Sequence, residues 1–289
     1  IRRNSPNTSP AKGSLLARAA GASAITAGGG PAVNSRSTAP AIPAKHRGWN
    51  VFRDDVITAL EQLSPNGTVL AGHSMGATTS LLVAGKRPDL VTGLVLVDPV
   101  LLSPSVYRWS HFPGYPDLMK AGSSMAKAAK KRRNVFESAE EAIEKLTGRG
   151  AFKSWRAPFL EDYITDGLNQ DRDSEKFSLS CTPDWEAANF GGQRHRPWAA
   201  LKKVKCPIIV IRAEKNSTCP QSSASRIMKS QPHAVIMEPT GTSHFIPMER
   251  PYVVRDAISE FLAQYVEGFV RGDEGRVQRN LDSSIGQKD

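Results

Sequence analysis

The sequence predicts an α/β fold on a mostly parallel sheet, with an inserted helical block. Three observations carry this expectation. Apolar, β-branched runs alternate with helical patterns over residues 48–99 and again over 204–266, the alternation produced by parallel strands joined through crossover helices. A serine between two glycines, Gly72-His73-Ser74-Met75-Gly76, stands where one such run meets an apolar helix. Between the two α/β stretches, residues 100–203 show helical patches and scattered aromatics with little strand pattern.

The first helix follows from Phe52, Val56, Leu60 and Leu63, which recur at helical spacing with Asp54, Asp55, Glu61 and Gln62 between them. Ser64-Pro65-Asn66-Gly67 reads as a turn. The apolar run from Thr68 is the strand that delivers Ser74, and the small and apolar residues 78–85 continue as a buried helix that ends near Arg87-Pro88. Residues 91–97 form a second buried strand ending at Asp98-Pro99. In the inserted block, residues 115–131, 138–146 and 159–167 carry helical patterns, and Trp109, Phe112, Tyr115, Trp155, Phe159, Tyr163 and Trp185 supply aromatic surface. Its basic run, Lys127 to Arg133, reads as a solvated helix end. Sheet logic resumes with a strand at 206–211, a loop at 216–220, a helix at 221–230, a strand at 234–238, a loop at 239–245 and an amphipathic helix at 252–265. Residues 267–289 read as a polar tail.

The charge is strongly asymmetric. The formal net charge is +10 over 289 residues. Residues 1–53 hold eight basic side chains and no acidic one, leaving 30 Lys+Arg against 28 Asp+Glu in the rest. The basicity belongs to the N-terminal segment, so a nucleic-acid partner is not expected. Residues 1–47 are rich in Ser, Ala, Gly, Pro, Asn and Thr, and three readings stand: an organelle-targeting segment, a disordered tail, or a truncated or wrongly assigned N-terminus. A cytoplasmic location is expected, with organelle targeting as the alternative. No run of about 18 apolar residues occurs, so no membrane insertion is expected. Cys181, Cys206 and Cys219 are far apart and match neither a metal spacing nor a disulfide framework. No metal or organic cofactor is called for.

A serine hydroxyl is a weak nucleophile near neutral pH; it needs a base within hydrogen-bond reach and a carboxylate to orient that base. His73 adjoins the serine and is expected to point elsewhere. His46, His111, His195 and His233 lie in no distinctive context. His244 follows the last strand in a Gly/Ser/Thr loop, at the strand ends where open α/β sheets place their sites. It is the expected base.

Gly72-His73-Ser74-Met75-Gly76, the 94–99 strand end and the loop Gly241-Thr242-Ser243-His244-Phe245-Ile246-Pro247 together resemble the α/β-hydrolase superfamily, whose order of nucleophile, acid and histidine they share. The resemblance spans residues 48–265, with the inserted block in the place of the family's variable cap. It implies that Ser74 is the nucleophile and that the Met75 N–H binds the oxyanion. For the acid it leaves alternatives. The loop after the 206–211 strand carries Asn216 where an aspartate is common, whereas Asp98 matches members that carry the acid one strand earlier; Glu214 is the further candidate. The resemblance also implies N-terminal strands and a second oxyanion donor, for which residues 1–47 show no counterpart. The implied activity is hydrolysis of an ester or related acyl bond in a small or medium hydrophobic substrate. The alternatives are a non-catalytic hydrolase-fold binding protein and an acyltransferase using the same triad. Oligomeric state is open.

Overall fold

The computed structural model describes residues 48–114, 123–171 and 173–266. The expectations for residues 1–47, for residues 115–122 of the first inserted helical patch and for the 267–289 tail lie outside the described residues. Two α/β stretches build one four-stranded parallel sheet. Helix α1 (Asn50–Leu63) leads through the Ser64–Gly67 turn, closed by the Gly67 N–H donating to Ser64 O at 3.0 Å, into strand β1 (Thr68–His73). Helix α2 (Met75–Lys86) follows at once, and strand β2 (Val91–Val97) pairs with β1 in parallel. After the inserted block come β6 (Ile208–Ile211), α9 (Gln221–Ser230), β7 (Val235–Met237), α10 (Ile246–Glu249) and α11 (Pro251–Phe261). The strand order is β1-β2-β6-β7. Among the described residues, β1 therefore has one strand neighbour, and its other edge is an edge of the sheet.

Why these runs become central strands is visible in their two faces. Successive side chains on a strand point to opposite faces. Leu94 and Leu96 of β2, with Ile208 and Val210 of β6, enter a core shared with Ile57 and Leu60 of α1, Leu81 of α2 and Ile227 of α9. Val95, Val97, Ile209 and Ile211 point the other way and meet Ile246, Val254, Ala257 and Phe261 from α10 and α11. Burial on both faces is what makes the runs continuously apolar instead of alternating. Helix α2 carries small or apolar residues on every side because it is enclosed: residues 75–85 are all buried, between the sheet, α1 and the short helix α8 (Pro197–Leu201). Its Gly85 lies so close to α8 that a Cβ would sit 2.6 Å from Ala200 backbone.

The inserted block leaves the sheet at the end of β2. It runs through α3 (Pro104–Trp109), α4 (Ser124–Lys130), β3 (Val135–Phe136), α5 (Ala139–Leu146), a 3-10 turn (Gly150–Ser154) and α6 (Phe159–Gly167). It then passes through β4 (Leu168–Gln170), β5 (Phe177–Leu179) and α7 (Pro183–Gly191) before α8. The block, expected to be helical with little strand pattern, also carries a small sheet: β3, β5 and β4 form a three-stranded antiparallel sheet. These strands are two or three residues long, too short to show a period of two. Phe136, Phe152, Leu160, Ile164 and Leu179 give the block an apolar cluster of its own, with Trp155 and Tyr163 packed against it.

Candidate active site

Four neighbouring parallel strands bring the candidate residues to one end of the sheet. Ser74 follows β1, Asp98 follows β2, the 213–219 loop follows β6, and His244 lies beyond β7. Backbone bonds lock these exits together. The Ser74 N–H donates to Val97 O at 2.9 Å, the Asp98 N–H to Ile211 O at 2.7 Å, and the Arg212 N–H to Met237 O at 2.8 Å.

Ser74 sits on a sharp turn with φ 55 and ψ −118, a backbone state that a side-chain-bearing residue adopts only when its surroundings enforce it. The enforcement is the near contact of β1 and α2. A Cβ on Gly72 would lie 2.5 Å from the Gly76 carbonyl oxygen and 2.6 Å from the Ala77 nitrogen, so only glycine allows strand and helix to approach this closely. Met75 is the first residue of α2, and first-turn N–H groups of a helix lack intrahelical acceptors and carry partial positive charge.

The serine Oγ lies 2.9 Å from His244 Nε2. His244 Nδ1 lies 2.6 Å from Asp98 Oδ2. The chemistry fixes the tautomer: an ionised carboxylate only accepts, so Nδ1 carries the proton and Nε2 is free to accept from the serine hydroxyl. Asp98 is fully buried. Its burial would push the carboxyl up, but hydrogen bonds from His244, the Ala213 N–H and the Ser217 hydroxyl outweigh that and hold it below the ordinary value of 3.8.

The loop that could have supplied the acid instead wraps Asp98. The Ala213 N–H reaches Oδ1 at 2.9 Å, the Ser217 hydroxyl donates to the same oxygen, and the Thr218 N–H reaches Oδ2 at 3.0 Å. The Thr218 hydroxyl sits 2.8 Å from the Asp98 carbonyl oxygen. Buried Arg212 braces the loop through Cys219 O at 3.0 Å and Gln221 Oε1 at 3.1 Å, and pairs with Glu238. Glu214 is exposed and takes the Gly241 N–H at 2.6 Å, with no bond to His244. Asn216 is exposed, at φ 54. The geometry thus brings together Ser74, His244, Asp98 and the Met75 N–H, and leaves Glu214 aside.

His73, expected to point elsewhere than at the serine, turns its ring to the backbone of the His244 loop. It does not touch the serine hydroxyl, but its Nε2 lies 2.6 Å from the His244 carbonyl oxygen and the two rings are 4.8 Å apart. The carbonyl can only accept, so Nε2 carries the proton. Burial, followed by the neighbouring charge of His244, pushes the His73 imidazole down to about 4, so it stays neutral beside the second ring. His195 is the other buried histidine. It stacks on Trp49 at 4.6 Å, and neither ring nitrogen has a hydrogen-bond partner among the described residues. Its burial, helped by His111, pushes it down to about 3. Among the described residues no group of three or more His, Cys, Asp or Glu side chains gathers as a metal site. No described helix is long and apolar enough to cross a membrane.

Known proteins place this geometry in a family. The chain is 25% identical over 211 residues to an uncharacterised hydrolase of Bacillus subtilis, covering 72% of this chain and 69% of the relative. It is 26% identical over 218 residues to the mouse sn-1-specific diacylglycerol lipase ABHD11, covering 74% of this chain and 65% of that one. It is 22% identical over 213 residues to the 2-(acetamidomethylene)succinate hydrolase of Mesorhizobium japonicum, covering 74% and 70%. The chain thus spans about two thirds of these relatives' lengths. Among solved structures, the fold matches E-2-(acetamidomethylene)succinate hydrolase with a TM-score of 0.61 at 20% identity, covering 76% of each chain. It matches the peroxisomal α/β-hydrolase of Saccharomyces cerevisiae with a TM-score of 0.62 at 17% identity, covering 76% of this chain and 60% of that one. The profile of the alpha/beta hydrolase family matches residues 18–257, beginning upstream of the first described residue. The chain belongs to the alpha/beta hydrolase family.

Proposed function

We propose that this α/β hydrolase cleaves an ester or related acyl bond by covalent catalysis from Ser74. The observation that carries the proposal is the unbroken relay of 2.9 Å from Ser74 Oγ to His244 Nε2 and 2.6 Å from His244 Nδ1 to Asp98. In this mechanism His244 takes the serine proton as Oγ attacks the acyl carbon. Asp98 holds the Nδ1 tautomer and stabilises the imidazolium that forms. The Met75 N–H, at the positive end of α2, donates to the oxygen on which charge develops. His244 then gives its proton to the leaving alcohol, and water, deprotonated by the same imidazole, releases the acid.

The relatives' names include a diacylglycerol lipase and a 2-(acetamidomethylene)succinate hydrolase. What they share is hydrolysis, and substrate choice then falls to the variable surroundings of the site. Here those surroundings are apolar: Phe245 lies edge-on to His244 at 5.3 Å, and Trp155 of the inserted block meets Phe245 at 5.8 Å. A small or medium hydrophobic acyl substrate fits this lining. Covalent modification of Ser74 by a fluorophosphonate, absent from Ser74→Ala, is the test. The aligned relay favours this reading over a non-catalytic binding protein; trapping the acyl group with added alcohols or thiols separates it from acyl transfer.

A further inference from the structure

The residue before the nucleophile has no part in the proton relay, yet it grips the base. His73 ends β1, in register with Val97 of β2, and is buried. Its Nε2–H donates to the His244 carbonyl oxygen at 2.6 Å, and the two rings lie 4.8 Å apart. That carbonyl stands one residue ahead of the α10 ladder, in which the Met248 and Glu249 N–H groups both donate to Phe245 O. A carbonyl outside the ladder needs another donor, and the end of β1 supplies it. The loop before the base is held from elsewhere: Gly241 by Glu214, Thr242 by the Lys215 N–H, and Ser243 by Glu249. His244 itself is met twice by the elbow, at its carbonyl by His73 and at Nε2 by the Ser74 hydroxyl, 2.9 Å away. The Ser74 N–H is fixed in turn to Val97 O at 2.9 Å, which ties the pair to β2. A neutral donor suits this place, because a cation 4.8 Å from His244 would oppose the imidazolium that forms there. Burial keeps His73 in that neutral state.

We infer that His73 is a positioning residue: its Nε2–H fixes the His244 carbonyl to the elbow, so that two consecutive residues set the base against the nucleophile. This deepens the catalytic reading and rests on the roles proposed above for Ser74 and His244. The bond is made to the main chain of the base itself, so its loss shifts the imidazole directly, and a misplacement of about 1 Å costs about 10²-fold in rate.

The test compares His73→Gln, His73→Asn, His73→Met and the His73→Met/His244→Ala double variant by two readouts. One is the rate of Ser74 labelling by a fluorophosphonate. The other is the NMR shift of the His244 carbonyl carbon, which needs no turnover. In His73→Gln an amide N–H takes the place of the imidazole Nε2–H; in His73→Asn the same group falls one carbon short. His73→Met and His73→Asn are expected to slow labelling about 10- to 10²-fold, and His73→Gln should recover most of the rate. The carbonyl signal should move upfield in His73→Met and His73→Asn and stay in place in His73→Gln. Because the effect runs through the base, His73→Met should leave the residual labelling of His244→Ala unchanged. Should His73→Met fail to fold, the contrast between His73→Asn and His73→Gln decides alone. The proposal is overturned if His73→Asn and His73→Met label as fast as the unmodified protein, or if His73→Gln is as slow as His73→Asn. It is overturned equally if His73→Met slows the His244→Ala protein by the factor it costs the unmodified one. Absence of labelling in the unmodified protein would instead sink the catalytic reading. The carbonyl shift then decides the His73 bond by itself: a signal displaced in His73→Asn and kept in His73→Gln upholds it, and a signal unmoved in both overturns it.

Discussion

At the residue scale, the choice of acid is the sharpest question. Two carboxylates follow neighbouring strands, yet their environments separate them. Asp98 is fully buried, satisfied by backbone and hydroxyl donors, and 2.6 Å from His244. Glu214 is exposed and occupied by the Gly241 N–H. Asp98→Asn should therefore lower hydrolysis by about 10⁴-fold, since an amide there no longer favours the reactive tautomer. Glu214→Gln should stay within about threefold, in line with a surface substitution; steady-state rates on a short-chain nitrophenyl ester check both. The gathering of Ser74, His244 and Asp98 was legible in the sequence because Ser74 and Asp98 end apolar runs and His244 sits in the loop after another, where a parallel sheet gathers its exits. Ser217 and Thr218 were not, because a hydroxyl in a loop looks like any turn residue until the carboxylate it serves is in place. His73 was not legible for a related reason. Its partner is the backbone carbonyl of His244, 171 positions away, and no side-chain pattern announces a bond to a main-chain oxygen.

At the scale of elements, the elbow depends on how closely β1 and α2 approach. The Cβ introduced by Gly72→Ala would meet the backbone of Gly76 and Ala77 within 2.6 Å. Backbone cannot swing aside as a flexible side chain would, so the substitution must separate strand from helix. Overpacking of this kind costs about 1–3 kcal/mol or more, and Gly72→Ala should lower the urea midpoint while also displacing the nucleophile. Equilibrium denaturation and activity of the same preparation measure the two effects. The long elements were readable because their period is unambiguous. The 91–97 strand and the 221–230 helix fall where the apolar pattern puts them. The antiparallel strands of the inserted block were not readable. With two or three residues each and mixed exposure, β3, β4 and β5 owe their conformation to mutual pairing and to the burial of Phe136 of β3 and Leu179 of β5 in the block's apolar cluster.

At the scale of the whole molecule, the two neutral histidines make stability depend on pH. His73 and His195 are pushed down from 6.5 to about 4 and about 3 in the folded protein. A group whose folded value is depressed leaves the unfolded chain binding more protons below 6.5. Stability is then fully present above pH 6.5 and is lost as pH falls toward 4 and 3, by up to about 1.4 kcal/mol per pH unit for each histidine. The buried Asp98 carboxylate adds a loss of the same sign below 3.8. The thermal midpoint should therefore fall steadily below pH 6.5, and replacing His195 by Phe, which removes a buried orphan base from between Trp49 and Tyr107, should flatten that fall.

The sheet, the elbow and the 239–245 loop converge on one serine hydroxyl, the proposed nucleophile. Its most direct measurement is the intact mass of the folded protein after brief exposure to a fluorophosphonate, with Ser74→Ala and His244→Ala beside it. One adduct per chain is expected on Ser74 in the unmodified protein, none in Ser74→Ala and strongly slowed labelling in His244→Ala. A folded protein that stays unlabelled, or an adduct that persists in Ser74→Ala, would contradict the assignment of Ser74 as the nucleophile.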